Sequence, residues 1–127
     1  MNSVVHFEIP ANDVARAKEF YENTFGWKIE KFQLPEEDYW AVYTTEMKDG
    51  KATTPGAING GLMKRKNPSQ PFMNYINVES IDSMLKKIVT NGGAICMEKT
   101  EIGKGMGWIA CFKDTEGNLM GLHEMPK

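Results

Sequence analysis

The sequence has little cysteine, no long apolar run and no excess of one charge. Its two cysteines, Cys96 and Cys111, lie too far apart for a CxxC redox motif and are too few for a disulfide scaffold. We therefore expect two reduced, buried thiols. No apolar stretch approaches the length of a membrane span, so the composition indicates neither a disulfide-rich secreted fold nor a membrane protein.

The charge balance argues against a polyanionic partner. The chain carries 15 basic and 17 acidic side chains, which gives a net charge of −2. Its basic cluster, Lys64-Arg65-Lys66, has fewer cations than firm binding to a nucleic acid backbone requires. The first residues show neither a basic region before an apolar one nor a small-residue cleavage site. We expect no nucleic acid partner and a cytoplasmic protein.

What the sequence does contain is an internal repeat, because each half predicts the order strand, helix and three strands. In the first half the predicted segments are Val4 to Ile9, a helix from Asn12 or Asp13 to Gly26, Lys28 to Phe32, Tyr39 to Thr44 and Ala57 to Lys64. In the second half they are Phe72 to Val78, a helix from Ser80 to Gly93, Ala94 to Glu98, Trp108 to Phe112 and Asn118 to Glu124. The repeat pairs His6 with Met73, Glu8 with Tyr75 and Gly60 with Gly121. It predicts one α+β domain with modules at about 1–64 and 72–127 and a linker at 65–71.

The first strand alternates, with Phe7 and Ile9 facing one way and His6 and Glu8 facing the other. The apolar side should pack under an amphipathic helix. The other side then carries polar and aromatic residues, which is typical of a sheet that curves around a ligand cavity. The aromatic residues near this face allow two interpretations, core packing or cavity wall, because their strand parity is open. They are Tyr39, Trp40, Tyr43, Tyr75 and Trp108.

The chain, with two βαβββ units in tandem and a set of short motifs, resembles the vicinal oxygen chelate superfamily. The motifs are Val4-Val5-His6-Phe7-Glu8-Ile9, Asp13, Ala17, Phe20-Tyr21, Phe25-Gly26-Trp27 and Asp114-Thr115-Glu116-Gly117-Asn118. That superfamily includes glyoxalase I, bleomycin-resistance proteins and extradiol dioxygenases. The resemblance implies a cup-shaped, partly open β-barrel with its helices outside, and a homodimer.

Metal-dependent members of this superfamily hold a divalent ion with side chains from the first and last strands of each module. Carried over by position, those sites fall on His6, Gly60, Met73 and Gly121, and only His6 keeps a ligating side chain. A divalent metal needs three or four such ligands, so we expect no metal cofactor. The alternative is a displaced site of His6, Glu8 and His123 for Zn, Ni, Mn or Fe.

Two functions remain open on this sequence. The first is a bleomycin-resistance-like protein whose cavity binds a small organic molecule. The second is a lyase or isomerase related to lactoylglutathione lyase, acting on an α-oxo or vicinal-oxygen substrate with Glu8 and His6 as base and acid. For both, the expected cavity residues are His6, Glu8, Tyr39, Trp40, Tyr43, Met73, Tyr75, Trp108 and His123.

Overall fold

A computed structural model of the chain describes residues 1–35 and 37–127. It divides into two compact units: the first unit is formed by residues 6–72, and the second by residues 1–5 together with 73–127. Each unit contains one helix and a mixed sheet in the order that the repeat predicts. The predicted fold class, α+β with two βαβββ modules, is confirmed. Neither helix within the described ranges has the length and apolar character needed to cross a membrane.

The first unit begins in strand β1, whose residues Val4 and Val5 belong to the second unit. Its elements are β1 (Val4–Ala11), α1 (Val14–Phe25), β2 (Lys28–Gln33), β3 (Asp38–Tyr43), β4 (Met47–Lys48), β5 (Lys51–Ala52) and β6 (Gly60–Lys64). Four of the strands form a sheet in the order β2-β3-β6-β1, with β1 and β6 parallel and the other pairs antiparallel. The remaining two form a small hairpin inside the loop expected at 46–56.

Helix α1 starts and stops where the sequence indicates. Asp13 is its N-cap and accepts a hydrogen bond from the Arg16 amide at 3.0 Å. Gly26 ends the helix in the left-handed conformation at a φ of 72°, which glycine adopts without a Cβ penalty. Its apolar face covers one side of the sheet, where Leu62 is fully buried. The other members of this core are Ala11, Ile29, Val42, Phe7, Ile9, Val14, Ala17, Tyr21, Trp27 and Trp40.

The second unit repeats the plan. Its elements are β7 (Met73–Asn77), α2 (Ile81–Thr90), β8 (Ala94–Glu101), β9 (Trp108–Lys113) and β10 (Leu119–Glu124), with the strand order β7-β10-β9-β8. Helix α2 packs on a core that contains Leu122, which is 1% exposed, just as Leu62 is 0% exposed in the first unit. The two leucines therefore occupy equivalent places.

This equivalence corrects the predicted pairing of the closing strands by one residue. In the first unit Gly61 lies opposite Glu8, and in the second Gly121 lies opposite Tyr75. Because Glu8 and Tyr75 are equivalent in the repeat, Gly121 corresponds to Gly61 and not to Gly60. Two adjacent glycines carry no side chains whose alternation could fix the register in the sequence.

Glu124 holds the start of α2 on the sheet. Glu124 is 3% exposed, and its carboxylate accepts a hydrogen bond from the Ile81 amide at 2.7 Å. The Lys99 ammonium lies 3.2 Å from the same carboxylate and 4.8 Å from the centroid of the Trp108 ring. The Ile81 amide lowers the pKa of Glu124, and Lys99 lowers it to a smaller extent. Both groups do so because they stabilise the charged carboxylate.

We expect Glu124→Gln to destabilise the protein by about 1–2 kcal/mol, because it removes the charge at the helix start and beside Lys99. A carboxyl whose folded pKa is lowered stabilises the fold above its unfolded pKa and loses this effect as the pH falls. The difference between wild type and variant should therefore be full above pH 4.5 and shrink below it. Urea denaturation at several pH values measures it, with the exposed Glu98→Gln as control; an equal difference at every pH contradicts the assignment.

Candidate ligand-binding site

Three half-buried polar side chains of the first unit form one chain of hydrogen bonds. The Tyr39 hydroxyl lies 2.8 Å from Nε2 of His6 and donates to Oε2 of Glu8 at 3.0 Å. The rings of His6 and Tyr39 are nearly parallel, with an angle of 17° between their planes. We call this arrangement the tyrosine bridge; it joins the two residues that the sequence predicts as acid and base.

The bridge also fixes where the imidazole proton lies. A phenol has one proton to donate, and Tyr39 donates it to Glu8. The hydroxyl oxygen then accepts from His6, so the imidazole carries its proton on Nε2. Tyr39 thus serves as acceptor for one functional side chain and donor for the other.

Strand parity brings these groups together on the side of the sheet away from α1, which we call the bridge face. His6 and Glu8 are two residues apart on β1. Gly61, on β6, lies opposite Glu8 of β1 on one side and opposite Ala41 of β3 on the other. Alternate residues share a face, so Tyr39 and Tyr43 flank Ala41 there. The predicted positions of His6 and Glu8 opposite the helix are confirmed by the helix-side packing of Phe7 and Ile9.

Gly61 provides the space that Tyr39 uses. A Cβ atom on this glycine would lie 1.8 Å from the Tyr39 hydroxyl oxygen, far inside van der Waals contact. No side chain fits beside the bridge unless the tyrosine moves. With the register corrected, the metal-ligand position that the family resemblance implied at Gly60 falls on Gly61, and a phenol from β3 occupies the space beside it.

The second unit fills the equivalent place in a different way. A Cβ on Gly121 would lie 2.3 Å from the ring of Tyr75, which is 7% exposed. Tyr75 thus packs over the strand as a buried side chain. His123 lies on the same face, two residues along β10, and its Nε2 is 2.9 Å from the Met106 carbonyl oxygen. A carbonyl can only accept, so this nitrogen carries a proton.

These donor sets do not fit the divalent metal that the family resemblance implies. Glycines stand at positions 61 and 121, and a carboxylate at either would collide with a tyrosine. Nε2 of His123 is committed to a carbonyl, and the Glu8 carboxylate accepts from Tyr39. Across residues 1–35 and 37–127, no group of three or more His, Cys, Asp or Glu side chains could hold a metal ion.

The other predicted cavity residues divide between the two faces. Trp40 and Trp108 pack on the helix-side cores, which corrects their expected place on the cavity side. Apolar residues are consecutive in the short runs around them, so the sequence does not show which residues face the helix and which face away. Tyr43 shares the bridge face, and half-buried Met73 lies on the Tyr75 face of the second unit.

Trp40 also borders an open depression of about 680 Å³ on the helix side of the first unit. Its charged walls are largely satisfied by one another, since Lys66 pairs with Glu37 at 2.9 Å and Arg65 donates to Asn12 at 3.1 Å. The bridge face is the better candidate, because its polar groups form a continuous chain beside aromatic side chains. The depression is lined by Asn12, Asp13, Val14, Glu37, Asp38, Trp40, Lys64, Arg65 and Lys66.

The sequence as a whole matches the model of the Glyoxalase/Bleomycin resistance protein/Dioxygenase superfamily over residues 3–122. The chain belongs to this superfamily. A glyoxylase-like domain-containing protein of Didymella fabae is 32% identical over 123 residues, which cover 94% of this chain and 91% of that protein. CFP32 of Mycobacterium bovis, named as a proposed glyoxylase, is 29% identical over 122 residues; this chain spans 42% of its length.

Several solved structures share the fold at low sequence identity. A hypothetical protein of Bacillus halodurans, BH1468, superposes with a TM-score of 0.72 at 17% identity, over 99% of this chain and 96% of that one. A methylmalonyl-CoA epimerase, solved with methylmalonyl-CoA and NH4+, gives 0.71 at 15% identity, over 98% and 95%. At these identities the likeness shows the fold alone.

We expect Gly61→Ala to cost about 1–3 kcal/mol, because the added methyl collides with the Tyr39 hydroxyl. The backbone of Gly61 does not lie in the left-handed region, so an alanine there is not strained in itself. In a Tyr39→Ala background the same substitution should cost less than about 1 kcal/mol, since the collision is gone. Urea denaturation of the four proteins in this cycle measures the coupling. Equal costs in both backgrounds would show that Tyr39 does not occupy this space.

Proposed function

We propose that this member of the superfamily binds a small organic molecule on the bridge face. The observation that carries the proposal is the tyrosine bridge, in which His6, Tyr39 and Glu8 present linked hydrogen-bonding groups from two strands. All three are half-buried, so a ligand that replaces the remaining water can exploit their hydrogen bonds in a less polar setting.

The surroundings of the bridge suggest what kind of molecule fits. Phe32 lies opposite Tyr39 on β2, and Ala41 and Tyr43 continue the same face along β3. Met63 follows Gly61 on this face of β6. Flat apolar side chains beside a polar chain suit a ligand that has a planar apolar part and a hydrogen-bonding group.

Binding is favoured over metal-assisted chemistry by the contents of the site itself. Tyr39 occupies the space that a side chain at position 61 would need, and position 61 is a glycine with no ligating group. The group beside this strand is therefore a neutral hydroxyl and not a charged metal ligand. A pocket of this type can retain an organic compound without changing it, which is the activity expected of a bleomycin-resistance-like protein.

We expect Tyr39→Phe to weaken ligand binding about threefold to tenfold, because it removes one hydrogen bond and keeps the ring. Candidate ligands come from a thermal-shift screen of aromatic carboxylates, phenols, bleomycin and methylmalonyl-CoA, and isothermal titration then gives the dissociation constants. Tyr21→Phe makes the same chemical change in the helix-side core and should leave affinity unchanged. Equal affinity in wild type and Tyr39→Phe would show that the ligand does not bind at the tyrosine bridge.

A second candidate function is proton transfer by a lyase or isomerase that acts on an α-oxo or vicinal-oxygen substrate. The same bridge favours it, because Glu8 is placed to take a proton and the Tyr39 hydroxyl links it to the His6 imidazole. In this scheme Glu8 is the base, and His6, through Nε2–H and Tyr39, supplies hydrogen bonding to the oxygen that gains charge.

Exchange of a substrate α-proton distinguishes the two candidates. Wild-type protein is incubated in D2O with methylmalonyl-CoA or an α-oxo aldehyde thiohemiacetal, and proton NMR follows loss of the α-proton signal. Catalysis predicts exchange that Glu8→Gln slows by about a hundredfold or more. Glu30→Gln, which alters an exposed carboxylate paired with Lys28, should have no effect. Recovery of unlabelled compound from the wild type supports binding alone.

The proposal also includes a homodimer and a cytoplasmic location. The homodimer is supported by the family resemblance, and the location by two free cysteines, which are usual in a reducing compartment. Light scattering of the purified protein tests the first of these.

A further inference from the structure

The two cysteines, distant in sequence, meet on neighbouring strands of the second unit. Strands β8 and β9 are antiparallel, and Cys111 on β9 lies opposite Met97 on β8. The register shifts between Ile95 and Met97, so Cys96 is the extra residue of a bulge. In a bulge two consecutive residues oppose one on the partner strand, which brings Cys96 as well as Met97 to Cys111.

The side chains complete this geometry. The Cys96 thiol lies near enough to Cys111 to contribute to its raised pKa, and both cysteines are free. Met97 and Cys111 are directly opposite, a position in which Cα atoms on antiparallel strands are about 4.5–5.5 Å apart, and Cys96 is the adjacent residue that the bulge adds against the same partner. A disulfide spans Cα separations of this order. Forming a bond here requires rotation of side chains and little movement of the backbone.

We propose that Cys96 and Cys111 are a redox modification site, at which a peroxide converts the two thiols into a reversible intrachain disulfide. The site lies in the second unit and does not depend on the function proposed for the bridge face. It also corrects the expectation of two buried thiols, because Cys96 is exposed and Cys111 half-buried.

The two thiols have separate parts in the reaction. The exposed Cys96 thiolate attacks the peroxide, breaks the O–O bond and becomes a sulfenic acid, while an alcohol or water leaves. The Cys111 sulfur then attacks the sulfenic sulfur, and the released hydroxide takes the Cys111 proton to leave as water. Two electrons pass from the thiols to the peroxide.

The surroundings of each sulfur agree with this order. Burial, more than the neighbouring Cys96 thiol, raises the pKa of Cys111 to about 11. Cys111 therefore stays protonated at neutral pH and is the poorer first nucleophile. It becomes reactive when a sulfenic acid forms on the adjacent Cys96.

A Cys96–Cys111 disulfide would hold the edge strand β8 against β9. Within the second unit β8 pairs only with β9, and its register there is interrupted between Ile95 and Met97 and again between Met97 and Thr100. A link at the first interruption fixes one bulge in place. Amide hydrogen exchange in the 94–101 segment should slow on oxidation, since opening of β8 from β9 is then restricted.

The experiment treats the full chain with equimolar hydrogen peroxide, blocks remaining thiols and digests with trypsin without reduction. The expected result is peptide 88–99 linked to peptide 105–113, and the link disappears after dithiothreitol. Each peptide contains one methionine, Met97 or Met106, so the linked pair is also sought with one or two added oxygen atoms. Cys96→Ser and Cys111→Ser should each abolish the linked pair, and oxidation in 8 M urea, about the strength that unfolds small domains, should yield less of it.

Three results would overturn the proposal. The first is a Cys96 that proceeds to sulfinic acid in the wild type with no linked peptide. The second is a disulfide between two chains through Cys96, seen as a dimer on a non-reducing gel. The third is equal linkage in native and urea-unfolded protein, because the fold would then contribute nothing to the pairing. Circular dichroism confirms that both serine variants are folded before the comparison is made.

Discussion

A side chain at position 61 and the hydroxyl of Tyr39 cannot occupy the same space. The contact between this tyrosine and the bare backbone of β6 decides what the first unit can do. It allows the phenol to lie between His6 and Glu8, and it leaves no room for a ligating side chain at position 61. A single residue without a side chain thus changes a potential ligand position into part of a hydrogen-bond chain.

Much of the fold could be predicted because its determinants are local. Asp13 and Gly26 bound α1 through contacts within the helix, and the alternation of β1 separates His6 from Phe7 without tertiary information. The register of β6 could not be predicted, because two glycines in succession carry no pattern. Comparing the leucines that follow, Leu62 and Leu122, would have found it, since both had to be core residues.

The role of Tyr39 was harder to predict, for a different reason. It comes from a strand in which aromatic and aliphatic residues occupy both faces, so the sequence does not say which ones meet the polar residues of β1. The same ambiguity put Trp40 on the wrong side. Membership of the superfamily does not resolve it either, because shared strand order leaves the contents of each face free to change. Here the two units fill equivalent glycine positions with tyrosines from different strands.

The beginning of α2, at Ile81, is held by Glu124, which lies 43 positions later in the chain. During synthesis the Ile81 amide is made 43 residues before its acceptor. Until then Ser80 alone caps the helix, and the partner strand β10 is missing from the sheet. The cap of α1 needs no later residue, because it comes from Asp13, immediately before the helix. Two modules of the same design thus differ in when the helix start is completed: α1 is capped by a residue made before it, and α2 gains its buried carboxylate only after β10 has been made.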